Sequence, residues 1–112
     1  TDQQLKYGNG YDHNFVVHGE PTEFKHMATM LDKVSGRQME VYGNQPGIQC
    51  YSGNFMNEDI AGKDGHFYKI HEALCLEPQF YPNSPNQPNF PNTILLANKV
   101  FRSLIEYRFS II

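Results

Sequence analysis

Chemistry in this sequence is best sought first where a short apolar run delivers a carboxylate. Ala73-Leu74-Cys75-Leu76 leads straight into Glu77, and residues 78–91 then mix prolines, asparagines and aromatics. An apolar run this short, bounded by turn residues, predicts a buried strand. The prolines beyond it predict that the sheet stops there, because each lacks an N–H and has a fixed φ. A carboxylate at the end of a buried strand, roofed by a stiff loop, can serve as a general base. The same spacing also fits a solvated glutamate at a strand terminus. Asp12 lies in Gly10-Tyr11-Asp12-His13-Asn14. From its place between Gly10 and the strand it reads as the former of an Asx turn. Gln49 puts an amide inside a predicted strand, facing either a polar cleft or solvent. Gly47 and Gly53 bracket it, as close backbone approach or bulges require. The five histidines (His13, His18, His26, His66 and His71) show no paired metal-ligand spacing, so no metal site is expected. His13 and Asn14 read as turn or supporting residues, and His71 stands close to the Glu77 strand. Tyr51, Phe55, Phe80, Tyr81 and Phe90 would either offer flat apolar faces to a ring or fill a core.

The elements that must position these groups are short strands separated by turns. Residues 1–10 are polar and glycine-bearing, which predicts a connection. Phe15-Val16-Val17 is a β-branched run leaving the Asp12 motif, and Glu20-Pro21-Thr22 is a turn. Residues 24–31 and 38–42 flank Asp32-Lys33-Val34-Ser35-Gly36-Arg37, which predicts a hairpin. In its second arm Met39 and Val41 alternate with Gln38 and Glu40, as one buried face requires. Residues 48–51 form another strand, and residues 57–65, with charges and two glycines, a loop. Near the end Ile105, Tyr107, Phe109 and Ile111 alternate with Glu106, Arg108 and Ser110. Phe101, Leu104, Ile105 and Phe109 also fit a helical stripe, but aromatic and β-branched content favours a strand. The fold class is therefore all-β.

Length and charge narrow the partners. At 112 residues the chain forms one domain at most, spanning 1–112. Net charge is −3 and the 9 Lys and Arg are scattered singly, so neither nucleic acid nor an anionic membrane is an expected partner. No apolar run approaches spanning length. Cys50 and Cys75 fall in predicted strands, outside any spaced framework. Buried free thiols and a reducing, cytoplasmic compartment are expected, with a secreted or periplasmic setting left open.

Three stretches in order resemble the signatures of the aldose 1-epimerase (galactose mutarotase) family. They are Gly10-Tyr11-Asp12-His13-Asn14-Phe15, then Gln45-Pro46-Gly47-Ile48-Gln49-Cys50-Tyr51-Ser52-Gly53-Asn54-Phe55. The third is Cys75-Leu76-Glu77 with Gln79, Pro82 and Asn86-Gln87-Pro88-Asn89-Phe90-Pro91. The resemblance runs over essentially the whole chain, which corresponds to the last third or so of a typical family member. It implies the C-terminal portion of a large antiparallel β-sandwich, the galactose mutarotase-like supersandwich. It also implies an isomerase that interconverts the α and β anomers of aldohexoses such as galactose and glucose, with no cofactor.

That reaction needs a base on the anomeric hydroxyl and an acid on the ring oxygen. By resemblance Glu77 is the base, while Asp12 and Gln49 bind the sugar. An ordinary glutamate titrates near about 4.3, so it is ionised at neutral pH, and a partly buried strand end raises its basicity. Pro78 stands where the family usually has Thr, which removes a backbone donor beside the base. The resemblance implies that the acid, a His, and a further Arg and His that hold the sugar belong to segments upstream of this chain. The expected partners are therefore an aldohexose and either the missing N-terminal segment or a second copy of the chain. A non-catalytic sugar-binding or structural β module is the alternative. A working monomer would require the acid to be His13, His66 or His71.

Overall fold

The computed structural model describes residues 2–57 and 59–112, so Thr1 and Glu58, which fall in the expected 1–10 connection and 57–65 loop, lie outside the described residues. Helix α1 (Gln3–Gly8) is followed by strands β1 (Asp12–Val16), β2 (Lys25–Leu31), β3 (Arg37–Gly43), β4 (Gly47–Tyr51), β5 (Cys75–Gln79) and β6 (Ile105–Ile111). Short 3₁₀ turns occupy Lys63–Gly65 and Ser84–Asn86. The strands form two sheets, ordered β1-β4-β5 and β2-β3-β6. In the second sheet β3 pairs antiparallel with both β2 and β6. The fold is all-β with little helix, as the sequence predicts.

Two compact units emerge, one joining the chain up to His13 with Gln49–Glu77, the other joining Asn14–Ile48 with Pro78–Ile112. In the second unit the predicted hairpin forms, with β2 and β3 in a register that runs from Leu31↔Gln38 to Lys25↔Gly43. Its turn is organised by Asp32, whose carboxylate accepts from the Val34 N–H at 3.0 Å and from the Ser35 hydroxyl. Those donors hold the Asp32 carboxyl below its usual range, the Ser35 hydroxyl most. Gly36 closes the turn with φ +71, a conformation costly for a residue with a Cβ. Val41 is fully buried, while Met39 is half-buried like its neighbours Gln38 and Glu40, so the alternation is only partly realised. Strand β6 pairs with β3 from Gly43↔Ile105 to Arg37↔Ile111. All of β6 is exposed, and it forms an edge of its three-stranded sheet. Gln45 is buried, and its amide donates to Asn44 Oδ1 and Ser103 Oγ at 3.1 and 3.0 Å.

Three sequence expectations need correction. The opening segment contains a helix where a connection was expected. Asp2 caps it by accepting from the Gln4 N–H at 2.7 Å, and Asn9, in the left-handed region at φ 53, closes it. The Glu77 strand starts at Cys75 and runs through Pro78 to Gln79, where the prolines were expected to stop it. It tolerates Pro78 because β5 is an edge strand, where a missing N–H need not break a ladder. Nor is it buried, since Cys75 and Glu77 are exposed and Leu76, Pro78 and Gln79 half-buried. The partial burial expected to raise the basicity of Glu77 is therefore not found.

Candidate functional site

The first unit is built around the turn that follows β4. Asn54, only 1% exposed, donates from Nδ2 to the Tyr11 carbonyl at 2.8 Å and accepts at Oδ1 from the Ser52 hydroxyl at 2.6 Å. The same hydroxyl accepts from the Tyr11 N–H at 2.8 Å, and the Ser52 N–H donates to the Tyr11 carbonyl at 3.0 Å. Such closely spaced polar ties leave no room beside them. A Cβ on Gly10 (φ +138) would lie 2.3 Å from Asn54 Oδ1. The residue after Tyr11 is Asp12, so the turn sets where β1 begins.

Asp12 and Gln49 are brought together. Gln49 Nε2 donates to Asp12 Oδ1 at 2.8 Å, with Asp12 exposed and Gln49 half-buried. An amide held by a carboxylate has a defined orientation, with the carbonyl turned away from its partner. Gln49 Oε1 is buried without a hydrogen bond among the described residues. Leaving such an acceptor unpaired costs about 1–3 kcal/mol, so a hydroxyl donor there is favourable. Glu77 stands on β5, the strand beside β4 in the sheet, with its side chain exposed and without a hydrogen-bond partner among the described residues. A carboxylate in that state keeps its full acceptor capacity.

His13 takes a local role, accepting at Nδ1 from the Asp12 N–H at 3.0 Å and packing edge-on against Tyr11 at 5.8 Å. His66 pairs with Glu72 at 3.2 Å, and the Lys69 N–H donates to the same carboxylate oxygen at 3.0 Å. Lys69 first and His66 second hold the Glu72 carboxyl below its usual range. Both cysteines are free, but neither is fully buried as expected: Cys50 is half-buried and Cys75 exposed. Burial, and then the charge of Cys75, pushes the Cys50 thiol up. No group of three or more metal-ligating side chains occurs among the described residues. Likewise, no described helix is long and apolar enough to cross a membrane.

In the second unit, Tyr81 and Phe90 meet edge to face at 5.2 Å. With Asn14, Val16 and Pro82 they line a cavity of about 320 Å³. Tyr51 instead accepts the Phe55 N–H at its hydroxyl, at 3.1 Å, which makes it a turn-holding residue. The residues missed by reading types and spacings are Ser52 and Asn54. Ser-Gly-Asn after a strand was the available signal, a turn sequence rich in groups that bond to backbone.

The structure thus defines an all-β protein that carries its candidate polar residues on neighbouring strands of one sheet. The sequence model of the Aldose 1-epimerase family matches residues 1–108. Galactose mutarotase from Mus musculus is 42% identical over 111 residues, covering 99% of this chain and 32% of that protein. The Homo sapiens galactose mutarotase is 40% identical over 104 residues, 92% of this chain and 30% of that protein. Aldose 1-epimerase from Escherichia coli (strain K12) is 34% identical over 111 residues, 97% of this chain and 32% of that protein. The chain belongs to the aldose 1-epimerase family, and it spans about a third of the length of these curated relatives.

Proposed function

We propose that this chain is the C-terminal part of a single aldose 1-epimerase domain that interconverts the α and β anomers of aldohexoses such as galactose and glucose. Glu77 takes the proton of the anomeric hydroxyl while an acid protonates the ring oxygen. The bond between the anomeric carbon and the ring oxygen then breaks, giving the open-chain aldehyde. Rotation about the bond between the first two carbons and reclosure, with both proton transfers reversed, yield the other anomer. Asp12 accepts hydrogen bonds from sugar hydroxyls, and Gln49 contributes its carboxamide. The observation that carries this reading is the Gln49–Asp12 hydrogen bond of 2.8 Å, which leaves the Gln49 carbonyl oriented and unpaired for a hydroxyl donor.

The acid is a histidine in the part of the relatives' length that this chain does not span. Exposed apolar side chains on β6, such as Phe109 and Ile111, support a partner for that sheet. That partner is the segment supplying the acid or, in its absence, a second copy. The two free thiols support a reducing, cytoplasmic setting. The test is Glu77→Gln in the full-length protein, followed by polarimetry on freshly dissolved α-galactose and α-glucose. Turnover should fall by about two to four orders of magnitude, the usual worth of a positioned base, with little change in sugar affinity. A variant that keeps most of its activity removes Glu77 from the mechanism.

A further inference from the structure

His71 is tied twice to the turn that follows the Gln49 strand. Its backbone N–H donates to the Gly53 carbonyl at 3.1 Å, and its Nδ1 lies 2.8 Å from the Ser52 carbonyl oxygen. A carbonyl only accepts, so Nδ1 carries the proton. The contact continues along the chain, since a Cβ on Gly53 would lie 3.0 Å from the Ala73 carbonyl oxygen. To make these ties His71 adopts φ +66, a left-handed conformation that costs a bulky residue free energy and persists only where the surroundings impose it. From His71 the chain runs through Ala73 directly into β5 and Glu77. The ties that set Asp12 and Gln49, made by Tyr11, Ser52 and Asn54, do not involve the His71 side chain.

We propose that His71 is a positioning residue for the base: its Nδ1–H bond to the Ser52 carbonyl fixes the approach to Glu77 relative to the turn that follows the Gln49 strand. The inference rests on the assignment of Glu77 as base and adds a separate requirement to it. Losing the tie should misplace the base while leaving the sugar contacts intact, and a misplacement of about 1 Å costs on the order of 100-fold in rate. The signature is therefore a fall in kcat without a matching rise in KM.

Three variants of the full-length protein isolate the bond. His71→Gly keeps the left-handed backbone without strain and removes the donor. His71→Asn tolerates the same backbone and retains a side-chain N–H near the position of Nδ1. His71→Asp is the isostere of Asn that cannot donate, so this pair decides the matter even if the Gly variant does not fold. Gly and Asp should lower kcat on the order of 10–100-fold with KM within about threefold, and Asn should stay within about threefold of the parent in both. Normal kcat in Gly and Asp, or equal losses in Asn and Asp, overturns the positioning role alone. Activity indifferent to Glu77→Gln in the same assays overturns the assignment of the base, and the positioning role with it.

Discussion

If Asp12 and Gln49 hold the sugar as a pair, their contributions to affinity must be coupled. The Gln49 amide donates to Asp12 at 2.8 Å, so on that proposal the carboxylate would both accept from the sugar and aim the amide. Hydrogen bonds to a charged group are worth roughly 1.5–3 kcal/mol, so Asp12→Ala should weaken binding roughly 10- to 150-fold. A neutral bond is worth about 1 kcal/mol, which gives Gln49→Ala a loss of about fivefold. Once Asp12 is gone, however, the Gln49 side chain has lost the partner that orients it, so part of its contribution has already disappeared. The double variant should therefore fall short of the sum of the singles by at least about 0.5 kcal/mol. Titration calorimetry with galactose, on full-length protein carrying Glu77→Gln to suppress turnover, measures all four corners of the cycle. Additivity within about 0.3 kcal/mol, or a larger effect from Gln49 than from Asp12, refutes the paired arrangement.

Gly10→Ala combines a backbone at φ +138 with a Cβ only 2.3 Å from the buried Asn54 Oδ1. It should destabilise the full-length protein by at least about 2 kcal/mol in urea denaturation, whereas Gly65→Ala, at φ +74 with open space around it, should cost only about 1. The reverse ranking would mean that the Ser52–Asn54 turn is not tightly held. For Glu72, carboxyl NMR should show a midpoint below the ordinary glutamate range, and His66→Ala should raise it only partway because the Lys69 N–H is the larger cause. Its folded value is depressed, so its small contribution to stability is present above the unfolded value and lost as pH falls through the folded one; an ordinary midpoint would sink this account.

What could be read from the residues alone was decided by locality. The β2–β3 hairpin was legible because Asp32, Ser35 and Gly36 specify their turn within a few residues. The Asp2 cap and the Asn9-Gly10 closure of α1 were equally local, but a helix of 6 residues shows too little periodicity to outweigh a polar, glycine-bearing composition. Pro78 misled for another reason. Whether a proline can sit in a strand depends on whether that strand is an edge, and edge position is a property of the sheet. The exposure of β6 is likewise set by what faces it, which an alternating pattern cannot reveal.

The candidate site poses the same problem more sharply. Asp12, Gln49 and Glu77 were each found by type and motif, but the bonds that position two of them span 41 and 43 residues of sequence, from Tyr11 to Ser52 and Asn54. Those bonds matter because of what the first unit lacks. The buried hydrophobic side chains among the described residues, Val41 and Ile48, both belong to the other unit. In the first unit the buried side chain is that of Asn54, and it is polar. Apolar burial is non-directional and would tolerate a small slide of one strand past another. Hydrogen bonds to backbone atoms do not, since they weaken steeply once distance or angle departs from a narrow range. Each is worth only about 0.5–1.5 kcal/mol net, but a buried polar group left unsatisfied costs about 1–3. A polar keystone therefore adds little to stability while it penalises misplacement of the strands heavily. That trade suits a site whose work depends on where three side chains stand rather than on how tightly the sheet is packed.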